Sequence, residues 1–307
     1  MLRTSLPERS AGGPSRLPAS GCVLLGSRRR SELALAIAVG IYVLVLIGLP
    51  RVAPAQATES QPSTMWHDSV GKLPPEARTP RLTRLFAQVQ RKNAVPIRFT
   101  RSDLSTPNLV GQTSFYAHET VVKYADISGA LLENVLAHEL GHILLRQQGV
   151  SIDAGIRGPK DEFLQALCDS ISSAAEDFLI VKMMLGRGFR PQILWEHSAQ
   201  NLLHPHNIPP EIVRGDGFQR HAGLRLFDAL DERRLLGKRV TITSEQLEAA
   251  AVALNPGIVR YEHKYFDAVE TLDCTDAASC FAKTKRIRDV VGFANIVIKN
   301  PSTGNFE

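Results

Sequence analysis

The sequence predicts an α+β protein in which a small sheet precedes a series of helices. Between residues 95 and 124, apolar and β-branched residues follow the patterns of strands. From residue 131 onward, apolar residues recur mostly at three- and four-residue steps, as in amphipathic helices. We therefore expect the strands to lie in the first half of the globular chain and a mainly helical lobe to follow.

The first elements follow directly from local patterns. Residues 81–93 carry apolar side chains at helical steps and end in basic residues, which suit a helix C-terminus. Residues 95–100 alternate as a strand with a proline near its start. Residues 108–111 are typical of a turn, and residues 113–124 predict one further strand because they are rich in aromatic and β-branched residues.

The next helix, predicted over residues 131–145, carries the motif His138-Glu139-Leu140-Gly141-His142. Residues four apart lie one above the other on a helix, so the two imidazoles share one face. Zinc accepts imidazole nitrogens, and a carboxylate next to the first histidine can take a proton from metal-bound water. Ser128 is the expected N-cap. Gly141 in a helix interior indicates a close packing contact.

This motif on an apolar helix resembles the active-site helix of zincin metallopeptidases, especially the gluzincin-like type of small bacterial proteins. The resemblance extends over about residues 79–188. It implies a zincin-like fold, with a small mixed sheet packed on the motif helix. It further implies a Zn²⁺ cofactor, Glu139 as the catalytic base, and a peptide or protein substrate. In such a fold the substrate is added to an edge strand, for which residues 114–120 are the candidate segment.

A third metal ligand is expected from the next predicted helix, residues 163–185. Glu176 and Asp177 are acids in an otherwise apolar stretch, where a carboxylate is seldom buried unless it is paired or binds a metal. By resemblance to gluzincins, Glu176 is the preferred ligand and Asp177 the alternative. Asp169 or a downstream histidine also remains open. Asp169 could instead accept a hydrogen bond from the other ring N–H of a ligating imidazole. The alternative is that it is an acid exposed to solvent.

Residues 1–57 indicate export. Three arginines precede an uncharged apolar core at residues 33–49, and Ala55 and Ala57 fit a signal-peptidase site after Ala57. The alternative is an uncleaved membrane anchor, since such a core is near the lower limit of about 17–25 residues needed to span a bilayer. Both alternatives predict a periplasmic or inner-membrane-anchored protein, with the catalytic part outside the cytoplasm.

The net charge of +5 does not indicate a nucleic-acid partner. Residues 1–57 hold seven arginines and two acidic residues, so the excess charge lies there and the remaining chain is close to neutral. Of the cysteines outside this segment, Cys274 and Cys280 flank a polar, turn-like stretch and predict a local disulfide. Cys168 predicts a buried small residue. Oligomeric state is not indicated.

The remaining chain divides by composition. Residues 58–79 are proline-rich, which predicts a linker. We expect residues 80–190 to form the zincin-like metal-binding lobe and residues 191–290 to form a helical C-terminal lobe. In that lobe Tyr261, His263 and Tyr265 are candidate transition-state donors, although tyrosines at helical spacing are more often core residues. Residues 291–307 predict a polar tail.

These features predict a zinc metallopeptidase that hydrolyses peptide bonds outside the cytoplasm. His138, His142 and Glu176 are the expected metal ligands, with Glu139 as the base. The alternative is a non-catalytic, zincin-like module of the cell envelope that binds a metal or a protein partner.

Overall fold

A computed structural model describes residues 69–102, 104, 110–159, 161–204 and 208–307. Three predictions fall wholly or partly outside the described residues: the signal peptide or anchor with its apolar core at 33–49, the first half of the linker, and part of the turn at 108–111. Among the helices that the described residues form, none combines the length and apolar character needed to cross a membrane.

The first part of the chain forms a helix and a four-stranded mixed sheet. Helix α1 spans Pro80–Lys92, and the strands are β1 (Ser69–Val70), β2 (Ile97–Arg101), β3 (Gly111–Phe115) and β4 (Thr120–Tyr124). The sheet order is β1-β2-β4-β3, with β2 and β4 parallel and the other two pairs antiparallel. Strand β3 is therefore an edge strand of this sheet.

The motif helix, α2, spans Gly129–Gln147. The middle residues of this helix are mostly apolar and buried, and the side chains of Leu132, Leu136 and Leu140 are fully covered. The helix begins after Ser128, whose backbone takes the N-cap position but whose side chain makes no capping hydrogen bond. The expectation that Ser128 caps the first turn through its hydroxyl is therefore wrong.

The rest of the chain is mostly helical. The helices are α3 (Glu162–Gly186), α4 (Pro191–Leu203), α5 (Pro210–Val213), α6 (Asp216–Leu236), α7 (Ser244–Leu254), α8 (Pro256–Val269) and α9 (Ala277–Val291). Strands β5 (Ala154–Ile156) and β6 (Ile296–Ile298) pair antiparallel as a second, two-stranded sheet. The prediction of an α+β protein with a small mixed sheet and a helical second half is confirmed.

Two segments differ from their predicted structure. Residues 113–124 form two strands, because residues 116–119 reverse the chain so that β3 pairs with β4. Residues 296–298, expected within a polar tail, form a fully buried strand. The side chains of Ile296, Val297 and Ile298 are apolar and all three pair with β5, so burial outweighs the polar composition around them.

Helix α3 belongs to two parts of the hydrophobic core. Its C-terminal half packs Ile180 and Met184 into the cluster that contains the four-stranded sheet, α1 and α2. Its N-terminal half packs Leu167 and Ile171 against α6, α8, α9 and β6. The two predicted lobes are therefore joined by one continuous helix.

An ion pair between the buried Glu133 and the partly exposed Arg81 fixes α1 to the motif helix. Both oxygens of the Glu133 carboxylate accept hydrogen bonds of 2.6 Å from the Arg81 guanidinium, and the Thr79 hydroxyl donates a further one. These donors lower the pKa of Glu133, with Arg81 the largest cause. The predicted disulfide between Cys274 and Cys280 is present, and Cys168 is buried as expected.

Candidate metal centre

His138 and His142 lie side by side on α2, as their spacing predicts. Their Nε2 atoms are 3.2 Å apart, and both side chains are largely buried. The rings converge on one point of the helix face because residues four apart are separated by about one turn.

Gly141 allows a second helix to reach this point. A Cβ atom at Gly141 would lie 2.7 Å from Cγ2 of Ile180 on α3, closer than real side chains approach. The close packing contact expected at this glycine is therefore present. This contact holds α3 against α2, and it lies one turn of α3 from Asp177.

Asp177 completes a group of three metal-ligand atoms with the two imidazoles. Its Oδ1 lies 3.4 Å from Nε2 of His138 and 3.4 Å from Nε2 of His142. This oxygen is buried and has no hydrogen-bond partner in the described part of the chain. A tetrahedral ion with bonds of about 2.0–2.1 Å places its ligand atoms about 3.3–3.4 Å apart. The three atoms thus already have the separations that such an ion requires.

Glu176, the preferred ligand in the sequence-based prediction, lies on the other side of His142. Its Oε2 is 2.8 Å from Nδ1 of that ring, while its Oε1 accepts hydrogen bonds from the Ser151 hydroxyl (2.6 Å) and the Ile152 amide (3.2 Å). A carboxylate that accepts from Nδ1–H leaves Nε2 with its lone pair free to bind a metal. The geometry therefore brings Asp177, rather than Glu176, together with the two Nε2 atoms, and it places Glu176 against the Nδ1 atom of His142.

Asp169, proposed as a supporting acid, lies away from the imidazoles. It is exposed on α3, where the Gln165 amide donates to its carboxylate. Eight residues of helix separate it from Asp177, which amounts to about 12 Å. The structure thus favours the alternative of a solvated acid for Asp169.

Glu139 is held by the edge strand of the sheet. The Thr113 hydroxyl donates a 2.7 Å hydrogen bond to its Oε2. Gly111 makes room for it, because a Cβ at that position would lie 2.6 Å from Oε1 of Glu139. The carboxylate of the expected base is therefore buried and oriented by β3.

Burial and charge oppose each other at the histidines. Burial acts to lower the pKa of His138, but the surrounding carboxylates of Asp177, Glu139 and Asp228 together raise it to about 9. Burial likewise acts to raise the pKa of Asp177, yet the two imidazoles bring the net pKa below its usual value. The surrounding carboxylates thus favour positive charge where the two Nε2 atoms and Asp177 Oδ1 meet.

Two acids on α6 were not identified from the sequence. Asp228 and Glu232 form, with Asp177, a second group of three carboxylates whose oxygens lie within 4.8 Å of one another. Burial, followed by the charge of Asp177, raises the pKa of Asp228 to about 7. Burial and the charge of Asp228 also raise the pKa of Glu232. Their spacing of four residues on a helix was the available sequence signal.

The candidate donors in the helical lobe do not point to this centre. The Tyr261 hydroxyl donates to Asp216 (2.5 Å) and the Tyr265 hydroxyl to the backbone oxygen of Arg220 (3.0 Å). His263 is mostly exposed beside Glu262. These three residues are engaged elsewhere.

Comparisons with protein-family models, curated proteins and solved structures gave no match to this chain. Its function must therefore be inferred from the chemistry of its own residues.

Proposed function

We propose that this protein is a zinc-dependent hydrolase of peptide bonds with a zincin-like fold, in which His138, His142 and Asp177 hold the ion. The observation that carries the proposal is the triangle of Nε2, Nε2 and Oδ1 atoms with sides of 3.2, 3.4 and 3.4 Å. Three protein ligands with an open fourth position are typical of catalytic zinc sites.

The arrangement around the triangle supports a metal better than a simple ion pair. An ion pair needs only one proton between an imidazole and a carboxylate, and it would leave Asp177 Oδ1 with a hydrogen bond. That oxygen instead lies between two Nε2 atoms and has no hydrogen bond within the described residues. The Glu176 carboxylate meanwhile contacts Nδ1 of His142, the ring nitrogen that faces away from the triangle. Metal-binding histidines commonly have a carboxylate in this position.

A zinc ion held by His138, His142 and Asp177 would activate a water molecule and polarise a carbonyl oxygen. Glu139 would accept a proton from the attacking water and deliver it to the leaving nitrogen. Thr113 holds the carboxylate in place through its 2.7 Å hydrogen bond. Thr113 lies on β3, so the strand that orients the base is also the edge strand available to an extended peptide.

Zinc content and peptide hydrolysis measured on one set of variants test this proposal. Glu139→Gln should keep its zinc and lose turnover, because the amide cannot accept the proton. Asp177→Asn should lose both zinc and turnover. Glu162→Gln, which changes an exposed acid at the start of α3, is the matched control and should behave as the unchanged protein.

The outcomes separate the two functional classes. A protein that binds zinc through this triangle but cleaves no peptide in a broad substrate set would be the non-catalytic metal-binding module. Unchanged turnover in Glu139→Gln would refute its role as the base.

Export remains part of the proposal on the sequence of residues 1–57 alone. The mass of the protein isolated from a bacterial periplasm and membrane fraction tests it. Loss of residues 1–57 indicates cleavage, and an intact chain in the membrane fraction indicates an anchor. An intact chain in the cytoplasm would refute export.

A further inference from the structure

We propose that Asp177, Asp228 and Glu232 form a second divalent-cation site, which shares Asp177 with the zinc site. The proposal rests on the proposed function only through this shared carboxylate. Each residue offers one oxygen, and these oxygens lie within 4.8 Å of one another.

The three acids come from two packed helices. Asp177 lies on α3, while Asp228 and Glu232 are four residues apart on α6 and share one face of it. Asp177 and Asp228 are 8% and 6% exposed, so their carboxylates have little access to bulk water. Buried like charges at this distance repel strongly unless a cation or protons neutralise them.

Within the described residues, protein cations balance this charge only in part, through the two imidazoles that face Asp177 and an ion pair between Arg225 and Asp228. The Arg225 guanidinium comes within 3.8 Å of Asp228, beyond hydrogen-bond distance, and its side chain is 47% exposed. The buried ammonium of Lys283 lies 3.1 Å from Asp231, the residue directly before Glu232, and so pairs with an acid outside the group. The carboxylate of Asp177, the residue common to both groups, is buried, and its Oδ1 has no hydrogen bond within the described residues.

The ligand chemistry indicates which ion would bind. Three carboxylates without an imidazole suit a hard cation such as Mn²⁺, Mg²⁺ or Ca²⁺, whereas the group with two imidazoles suits zinc. We therefore expect zinc at His138, His142 and Asp177, with a harder ion beside it. Paired ions in hydrolases lie about 3.5–4 Å apart and can hold both the attacking and the leaving group.

Titration of the zinc-loaded full-length protein with Mn²⁺ tests the second site. Free Mn²⁺ is followed by electron paramagnetic resonance, and retained zinc by elemental analysis. We expect one Mn²⁺ per chain without loss of zinc. Asp228→Asn and Glu232→Gln should each weaken Mn²⁺ binding by about tenfold or more, since fewer charged ligands lower affinity.

Asp231→Asn is the matched control, because it removes a nearby charge on the same helix whose partner is Lys283. It should keep Mn²⁺ binding. Retained zinc in all three variants would show that the fold around the triangle is intact.

The possible failures are distinguishable. Zinc binding without Mn²⁺ binding, or Mn²⁺ binding unchanged by both α6 variants, would overturn the second site and leave the proposed function standing. Mn²⁺ binding that depends on Asp228 in a protein that takes up no zinc would support the second site and overturn the first. With excess Mn²⁺ and no zinc, spin-coupled ions would support the shared carboxylate, and uncoupled ions would overturn it.

Discussion

Glu176→Gln should weaken zinc binding although Glu176 is not placed as a ligand. In the unchanged protein one carboxylate oxygen accepts from Nδ1 of His142, and the other accepts from Ser151 and Ile152. Glutamine replaces one of these acceptors by an NH₂ donor. The backbone amide of Ile152 can only donate, so the amide oxygen should remain there and the NH₂ group should face His142.

This reversal changes the tautomer of the ring. Nδ1 would have to accept, which moves the proton to Nε2, the atom that faces the metal position. Loss of such a supporting contact typically costs about 10- to 100-fold in metal affinity. The corresponding free energy of binding is about 1.4–2.7 kcal/mol.

Competition with a chromophoric zinc chelator at fixed pH measures the effect. Ser151→Ala is the matched control, because it removes one hydrogen bond from Glu176 (2.6 Å) and leaves the contact with Nδ1 in place. It should bind zinc more tightly than Glu176→Gln, and Asp177→Asn should bind most weakly. Equal affinity for Glu176→Gln and the unchanged protein would refute the tautomer argument. A greater loss for Glu176→Gln than for Asp177→Asn would make Glu176 the ligand.

Three further predictions follow from individual contacts. Gly141→Ala should destabilise the protein by about 1–3 kcal/mol in urea unfolding, because the new Cβ meets Ile180 at 2.7 Å; unchanged stability would contradict the close contact. Glu133→Gln should cost about 1–3 kcal/mol at pH 7, since it weakens the charged hydrogen bonds between a buried carboxylate and the partly exposed Arg81. The pKa of Glu133 is lowered in the folded state, so this cost should be present above the unfolded pKa and disappear as pH falls through the folded pKa; a cost that persists in acid would refute it. Thr113→Val should reduce kcat and leave zinc content unchanged, and equal kcat would show that this hydroxyl does not position the base.

Helix positions could be predicted from sequence because burial imposes a period on the apolar residues. The helices α1, α2 and α3 begin and end within a few residues of their predicted limits. The hairpin between β3 and β4 could not be found in this way. Residues 116–119, Tyr-Ala-His-Glu, contain none of the glycine, proline or asparagine signals that mark most turns.

The choice between Glu176 and Asp177 also depended on information outside the local sequence. Adjacent residues on a helix point about 100° apart, so the two carboxylates reach His142 from different sides, and only one of them lies beside its Nε2 atom. Which one does so is set by the packing of α3 on α2 at Gly141 and Ile180. The same glycine was visible in the sequence as a sign of close packing, but its partner was not.

Asp228 and Glu232 connect the helical lobe with the candidate metal position through their charge. The imidazoles and the expected base come from α2, and both acids that contact the imidazoles come from α3. Helix α6 of the helical lobe then places two more carboxylates beside Asp177. The charge at the candidate metal position is therefore set by both lobes, because the carboxylate of Asp228 on α6 adds to the field that raises the pKa of His138 on α2.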